Sequence, residues 1–260
     1  MGEDYQTKPF SRARGPVVDA GRLASRRHVI HGLLEIDVTR ARRLINQHSV
    51  ETGERLSFTG FIIACLAQAV EAYPMVQAYR SWRNQLVLFE DVDVVTLIET
   101  EEGGVALPHI IRAANRRSFL DIHREIRAVQ AQPRESAQER GLARLGSHAP
   151  RFARSLFYWG LRQNPRWMKK HAGTVVVTAV GMFGEGAGWG LGFLPMHTMG
   201  LTVGGIAQRP GLVNGELSPR EHLCVTVSFD HDIVDGAPAA RFAERFRELV
   251  ESGRGLPDGG

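Results

Sequence analysis

The stretch 225–242 constrains the fold more than any other part of the chain. Residues 225–229 alternate apolar and polar side chains, which is the pattern of a half-buried β-strand. The strand runs into Asp-His-Asp at 230–232, turns at Asp235-Gly236, and continues into residues 242–250, whose apolar side chains recur at helical spacing. The pattern predicts a strand, a tight turn and a helix, with a histidine held rigidly near the surface.

His231 and Asp235 are the first candidate functional pair. A general base must be a neutral imidazole within hydrogen-bond reach of its target, and a carboxylate or carbonyl must fix its tautomer. The spacing HxxxDG suits that chemistry, but a histidine that caps the turn through Asp230 or Asp232 has the same sequence. Thr178 has two interpretations as well. A hydroxyl at a strand end before a glycine-rich turn can donate to an oxyanion, or it can be an ordinary strand residue.

The composition is that of an ordinary globular chain. Its 260 residues suffice for one large domain or two small ones, with 43% hydrophobic and 23% charged residues. No apolar run approaches the ~20 residues needed to span a bilayer, and the N-terminus lacks the apolar core of a signal peptide. The two cysteines, Cys65 and Cys224, lie in apolar runs, which indicates buried thiols in a reducing compartment. We therefore expect a cytoplasmic protein.

Charge and ligand spacing argue against two functional classes. The net charge is +4, but the arginines are spread along the chain without a recognisable nucleic-acid module. A basic rim that attracts a phosphorylated cofactor fits the charge equally well. Ten histidines are present, but neither HExxH nor a paired CxxC occurs, so we expect no metal. The glycine-rich run 184–192 lacks the lysine and serine of a P-loop, and we interpret it as a flexible flap.

Helices are predicted where helical spacing follows a capping residue. Thr39 is a candidate N-cap for the helix after it, and Ser118 for a helix over 119–130. Residues 61–73 are apolar nearly all the way round, which indicates a helix buried at the centre of the domain.

Strands separated by helices, with a hairpin signal at Asn214-Gly215, predict a mixed α/β domain of the α+β type, built on one large sheet. We place an N-terminal arm at 1–24, the domain at 25–253 and a disordered tail at 254–260. Within the domain, 131–170 is interpreted as an inserted polar loop followed by a basic amphipathic helix over 151–170. Such a helix packs on its own domain or lies on a membrane surface, and both alternatives stay open.

Several segments together resemble a known family. The segment Ser228–Phe242 closely resembles the signature of the dihydrolipoyl acyltransferase component of 2-oxo acid dehydrogenase complexes, and chloramphenicol acetyltransferase shares that fold and the HxxxDG motif. The resemblance covers about residues 25–253. Further segments resemble the family in the same order: Ile36–Val38, Leu56–Ala64, Gly103–Pro108, Gly173–Gly184 and Leu201–Ile206.

The resemblance implies a chloramphenicol acetyltransferase-like two-layer domain with a large mixed sheet and packed helices. It also implies a homotrimer with active sites at subunit interfaces, possible assembly into a larger cage, and CoA or acyl-CoA as a substrate. His231 would deprotonate the acceptor, which would attack the thioester without an acyl-enzyme, and Asp235 would hold the turn in shape. The family's oxyanion-donating serine falls at Thr178, which would come from the neighbouring subunit.

Four more positions are candidate substrate-binding residues: Gly236, Phe183, Trp189 and Asp232. Asp232 stands where the family usually has arginine, and a negative charge there favours the imidazolium form of the base unless it points away. The insertion 131–170 is longer than the corresponding segment of typical family members. The printed sequence shows no lipoyl-domain segment, and we therefore expect no covalently bound lipoyl group on this chain. The acceptor would be a lipoyl group on another protein or an unrelated small molecule.

Two hypotheses follow. The first is an acyltransferase that moves an acyl group between CoA and a thiol or another small acceptor. The second is a non-catalytic trimeric scaffold that keeps the fold and binds a partner or a membrane surface through 151–170. Asp232 and the missing lipoyl domain are the features that motivate the second hypothesis.

Overall fold

The computed structural model describes residues 5–11, 14–98, 107–131, 149–180, 186–213 and 215–257. Eight strands lie within these residues: β1 Val29–Asp37, β2 Tyr79–Arg80, β3 Leu86–Val87, β4 Val94–Ile98, β5 Leu107–Ile111, β6 Val175–Ala179, β7 Met199–Val213 and β8 Glu216–Asp230. Six form one sheet in the order β1-β8-β7-β6-β4-β5, and β2 and β3 form a small hairpin. In the large sheet β6 runs parallel to β4 and β7, while the other pairs are antiparallel.

The same residues contain seven α-helices: α1 Gly15–Ala24, α2 Thr39–Thr52, α3 Phe58–Ala72, α4 Phe119–Ala131, α5 Arg151–Gln163, α6 Pro165–Ala172 and α7 Gly236–Glu251. α3 packs against α4 and α7, and α7 packs against α2 and β1, so these helices form a layer on one face of the sheet. The predicted two-layer domain with a mixed sheet is thereby confirmed.

The central helix of the core is α3. Its N-cap Ser57 accepts a hydrogen bond from the backbone N–H of Gly60 at 3.1 Å, and nearly every residue from Gly60 to Val70 is buried. Burying one large apolar side chain contributes about 1.5–3 kcal/mol, so this helix stabilises the domain strongly. Cys65 on α3 and Cys224 on β8 are both buried free thiols, as their apolar surroundings predict.

β8 and α7 pack against each other through phenylalanines. The Phe229 ring on β8 lies edge-on to Phe242 on α7, with ring centroids 5.6 Å apart. Phe242 in turn stacks on Phe246. Because a strand and a helix anchored in the same core flank them, residues 231–235 are held at a fixed place at the C-terminal end of β8.

One of the two predicted helix caps is correct. The Ser118 hydroxyl accepts from the backbone N–H of Asp121 at 3.2 Å, as an N-cap does. Thr39 is instead the first residue of α2, and the prediction that it caps α2 is wrong. Its N–H donates to the Asp37 carboxylate at 2.9 Å, and its hydroxyl accepts from the backbone of Glu221 on β8. The threonine therefore joins α2 to the sheet.

The predicted domain boundaries shift at both ends. The arm 1–24 contains α1, whose Asp19 accepts a hydrogen bond from the Arg154 guanidinium of α5 at 2.7 Å. At the other end, Leu256 is buried in the main core, which places part of the predicted disordered tail 254–260 inside the packed domain.

The predicted single helix over 151–170 divides into α5 and α6. The Asn164 side chain accepts hydrogen bonds from the backbone N–H groups of Arg166 and Trp167, and Pro165 occupies the first position of α6. An N-capping asparagine followed by proline starts a new helix, because proline lacks the N–H that would continue the old one. Most of the preceding loop, 132–148, lies outside the described residues.

Candidate active site

Backbone hydrogen bonds hold the turn between β8 and α7. The His231 N–H donates to the carbonyl of His28, the residue just before β1, at 2.7 Å. The N–H groups of Ile233 and Val234 both donate to the carbonyl of Asp230 at 3.0 Å, and the Val234 side chain is buried. The turn is therefore tied to two strands and to the core.

The Asp230 side chain is the structural anchor of this turn. Its carboxylate forms an ion pair with Arg27, and each side chain is only 8% exposed. The carboxylate also accepts from the backbone N–H of Asp232 at 3.3 Å, while the Asp230 N–H donates to the Thr198 carbonyl. A buried charge costs several kcal/mol unless it is paired, so Arg27 and Asp230 depend on each other.

Asp232 points to His28. The Nδ1–H of His28 donates to the Asp232 carboxylate at 2.9 Å. This hydrogen bond raises the pKa of His28 and lowers the pKa of Asp232. Asp232 therefore pairs with His28, and among the described residues it forms no ion pair with His231.

The His231 side chain is about half exposed and lies near Asp235. Its Nδ1 is 3.9 Å from an Asp235 carboxylate oxygen, too far for a hydrogen bond. Within the described residues, the His231 ring makes no hydrogen bond, and the Asp235 carboxylate, 84% exposed, makes none with the turn. In the single chain the turn is held by Asp230, while the predicted role of Asp235 stays a prediction. Gly236 begins α7 beside this pair and is exposed.

Thr178 lies elsewhere on the same sheet. It pairs with Thr202 on β7, which pairs with Thr226 on β8, and His231 follows five residues after Thr226. Strands are about 4.8 Å apart and each residue advances about 3.3 Å, so Thr178 and His231 of one chain are roughly 19 Å apart. A single chain therefore does not bring the predicted base and oxyanion donor together.

The indole N–H of Trp189 donates to the Leu34 carbonyl of β1 at 3.1 Å. Leu34 is six residues from His28, whose carbonyl binds the His231 N–H. At about 3.3 Å per residue along the strand, Trp189 is therefore also about 20 Å from His231. Phe183, the remaining candidate for substrate binding, lies outside the described residues.

The described part of the glycine-rich run packs on the sheet. The Gly205 N–H donates to the Gly188 carbonyl at 3.0 Å. A Cβ at Gly204 would lie 2.1 Å from that carbonyl oxygen, so only glycine permits this approach of the two backbones. The interpretation of a flexible flap is therefore wrong for residues 186–192, because they form a layer on β7.

Sequence reasoning missed Arg27 and His28, which neutralise the two acidic residues beside His231. The alternation at 225–229 predicts that Asp230 lies on the exposed face with Thr226 and Ser228, but both faces of this end of β8 are buried, and Asp230 with them. A buried acid demands a basic partner, but nothing local identifies which of the many arginines supplies it.

Two kinds of feature do not occur among the described residues. No group of three or more His, Cys, Asp or Glu side chains there could hold a metal ion. None of the described helices has both the length and the apolar composition to cross a membrane.

The strand-turn-helix with HxxxDG, set in a mixed two-layer domain, defines an acyltransferase-type fold. A family profile described as 2-oxoacid dehydrogenases acyltransferase (catalytic domain) matches residues 7–140 and 166–256. The chain belongs to this family. The profile does not match residues 141–165, the segment that contains α5.

Relatives and solved structures agree with this assignment. The dihydrolipoyllysine-residue acetyltransferase component of the pyruvate dehydrogenase complex from Rickettsia conorii is 24% identical over 257 residues, covering 96% of this chain and 54% of the relative. This chain thus spans about half the length of that relative. The cubic core of the pyruvate dehydrogenase multienzyme complex has a TM-score of 0.73 at 17% identity, covering 97% and 94% of the two chains. A structure of chloramphenicol acetyltransferase has a TM-score of 0.57 at 13% sequence identity, and the match covers 96% of this chain and 100% of the other.

Proposed function

We propose that this chain is an acyl-CoA-dependent acyltransferase that moves an acyl group between CoA and a thiol of the dihydrolipoyl type or another small acceptor. The observation that carries the proposal is His231, half exposed on the HxxxDG turn of a chain in this family, with Asp232 bound to His28. The competing scaffold hypothesis is not favoured, because the family is one of catalytic domains.

The proposed reaction is a direct transfer. His231 takes the proton of the acceptor thiol, and the sulfur attacks the carbonyl carbon of the acyl thioester. Thr178 donates a hydrogen bond to the oxyanion of the tetrahedral intermediate. The intermediate collapses, the carbon–sulfur bond to CoA breaks, and the CoA thiolate takes the proton from the His231 imidazolium. A lipoyl group carried on another polypeptide is one candidate acceptor.

We further propose a cyclic trimer in which His231 of one subunit faces Thr178 of the next. The separation of roughly 19 Å within one chain supports this arrangement, because two such residues can share a site only across an interface. A similar structure is a cubic core, so a larger assembly of trimers is a further candidate.

Mixing two inactive variants tests both the residues and the interface. We expect His231→Ala to abolish transfer, Thr178→Val to lower kcat by about 100- to 1,000-fold, and the control Thr178→Ser to keep most activity. Acyl-CoA thioesters are screened with dihydrolipoamide, and the free CoA and the S-acyldihydrolipoamide that form are separated and quantified by chromatography.

Co-expression of the two inactive variants should restore activity. One intact site forms in each mixed trimer, so random mixing restores about a quarter of wild-type activity. No recovery on mixing would contradict the shared site, and a fully active His231→Ala variant would contradict the base.

A further inference from the structure

A cavity of about 370 Å³ lies beside the turn that carries His231. Asp230 and Asp232, which flank His231 in the chain, form part of its wall. A volume of this size is in the range of small-molecule sites, roughly 300–1,000 Å³. The other walls include three arginines, namely Arg27, Arg80 and Arg162.

The charges in this cavity do not balance. Both carboxylates are already paired, one with Arg27 and the other with His28. In the part of the chain that the structure describes, no carboxylate lies within ion-pair distance of Arg80 or Arg162. The wall of the cavity thus carries two guanidinium groups, those of Arg80 and Arg162, that have no carboxylate in ion-pair contact among the described residues.

Arg162 lies among like charges. Burial lowers the pKa of its guanidinium, the nearby charges of Arg27 and Arg26 lower it further, and Asp230 offsets part of the effect. The buried Nε of Arg27 has no hydrogen-bond partner among the described residues. An anion that enters the cavity would relieve the repulsion between the guanidinium groups. It would also accept hydrogen bonds from their free N–H groups.

Arg162 is placed by packing on α5, within the segment 141–165 that the family profile does not match. The preceding residue, Leu161, is buried in a cluster with Tyr79. The following residue, Gln163, accepts a backbone hydrogen bond from Trp82 at 3.4 Å. α5 is therefore fastened to the hairpin of β2 and β3, and this fastening directs Arg162 to the cavity beside the turn.

We propose that this cavity is a subsite for a carboxylate carried by the acyl group or by the acceptor, with Arg80 and Arg162 as its ligands. The proposal rests on the proposed acyl transfer. The phosphates of CoA are separated from its thioester by the whole pantetheine arm, whereas the cavity begins at the residues next to His231. The planar guanidinium group matches a carboxylate in a bidentate hydrogen bond.

Two matched substrate pairs test the subsite. Succinyl-CoA and butyryl-CoA have acyl chains of equal length, but only the first ends in a carboxylate, and dihydrolipoate differs in the same way from dihydrolipoamide. We expect Arg162→Gln and Arg80→Gln to lower the kcat/KM ratio of charged to neutral substrate by about 10- to 100-fold in one pair. The exposed Arg166 on α6 provides the control variant Arg166→Gln, which should leave both ratios unchanged.

Succinate binding, measured by calorimetry, reports on the subsite without turnover. We expect wild type to bind succinate but not succinamide, and Arg162→Gln to bind succinate about tenfold more weakly. If no thioester is turned over but succinate binding depends on Arg162, the acyl-transfer proposal fails and the subsite stands. If transfer occurs while the ratios and succinate binding are the same in wild type and both variants, the subsite is refuted. An equal loss of kcat/KM with every substrate would also refute it.

Discussion

His197 makes the stability of the domain depend on pH in a way that can be calculated. It lies directly behind the candidate site, two residues from Met199 at the start of β7, and its Nε2–H donates to the Ala172 carbonyl at 2.6 Å. Burial lowers its pKa from 6.5 to about 4; the hydrogen bond to Ala172 partly offsets this effect, and the charge of Arg27 adds to it. The folded protein therefore holds a neutral imidazole at neutral pH.

The sign follows from proton binding. Below pH 6.5 the unfolded chain takes up a proton that folded His197 does not bind until about pH 4, so acid favours the unfolded state. Each pH unit inside this window costs about 1.4 kcal/mol. Between pH 7 and pH 5 His197 should therefore reduce the free energy of unfolding by about 2 kcal/mol.

Urea unfolding at pH 7 and pH 5 measures this loss. His197→Gln keeps an N–H donor for Ala172 but cannot be protonated. The decrease in its free energy of unfolding from pH 7 to pH 5 should therefore be about 2 kcal/mol smaller than that of wild type. His171, half-buried on α6, gives the control His171→Gln, whose loss should match that of wild type. Equal losses in wild type and His197→Gln would refute the reasoning.

Two further predictions concern the elements around the site. Asp230→Ala should destabilise the domain by about 3–5 kcal/mol in urea, because Arg27 stays buried without a partner, and adding Arg27→Met should recover most of the loss. If the double variant is no more stable than Asp230→Ala, the pair is not the cause. Gly204→Ala should cost about 1–3 kcal/mol, since its methyl group would meet a carbonyl oxygen. Gly188→Ala, which meets nothing within 4 Å, should cost less, and equal costs would contradict this contact.

Local patterns made much of the fold predictable. The alternation in 225–229 and the helical spacing after Gly236 identify a strand and a helix whose observed bounds include them. The central helix and its burial follow from an apolar surface that has no polar side. Such features depend on near neighbours in the chain, so the sequence carries them directly.

The electrostatics of the site depend on distant neighbours and could not be predicted in the same way. Arg27 and Asp230 are separated by 203 positions, and His28 and Asp232 by 204. Both pairs exist because β1 lies antiparallel beside β8, which brings its first residue opposite the last residue of β8. Strand order is a property of the whole sheet, and the alternation of a single strand does not specify its partner.

The antiparallel pairing of β1 with β8 explains how an aspartate can follow the proposed base. A carboxylate that faces an imidazole favours the charged form of the ring. In this chain the segment just before β1 supplies His28 for Asp232, while its neighbour Arg27 pairs with Asp230. Asp230 and Asp232 thus each have their own basic partner, and neither pair involves the ring of His231. The same two pairs engage both carboxylates of the cavity wall, Asp230 and Asp232. Arg80 and Arg162 therefore have no carboxylate partner among the described residues, and in the proposed subsite they attract an anion.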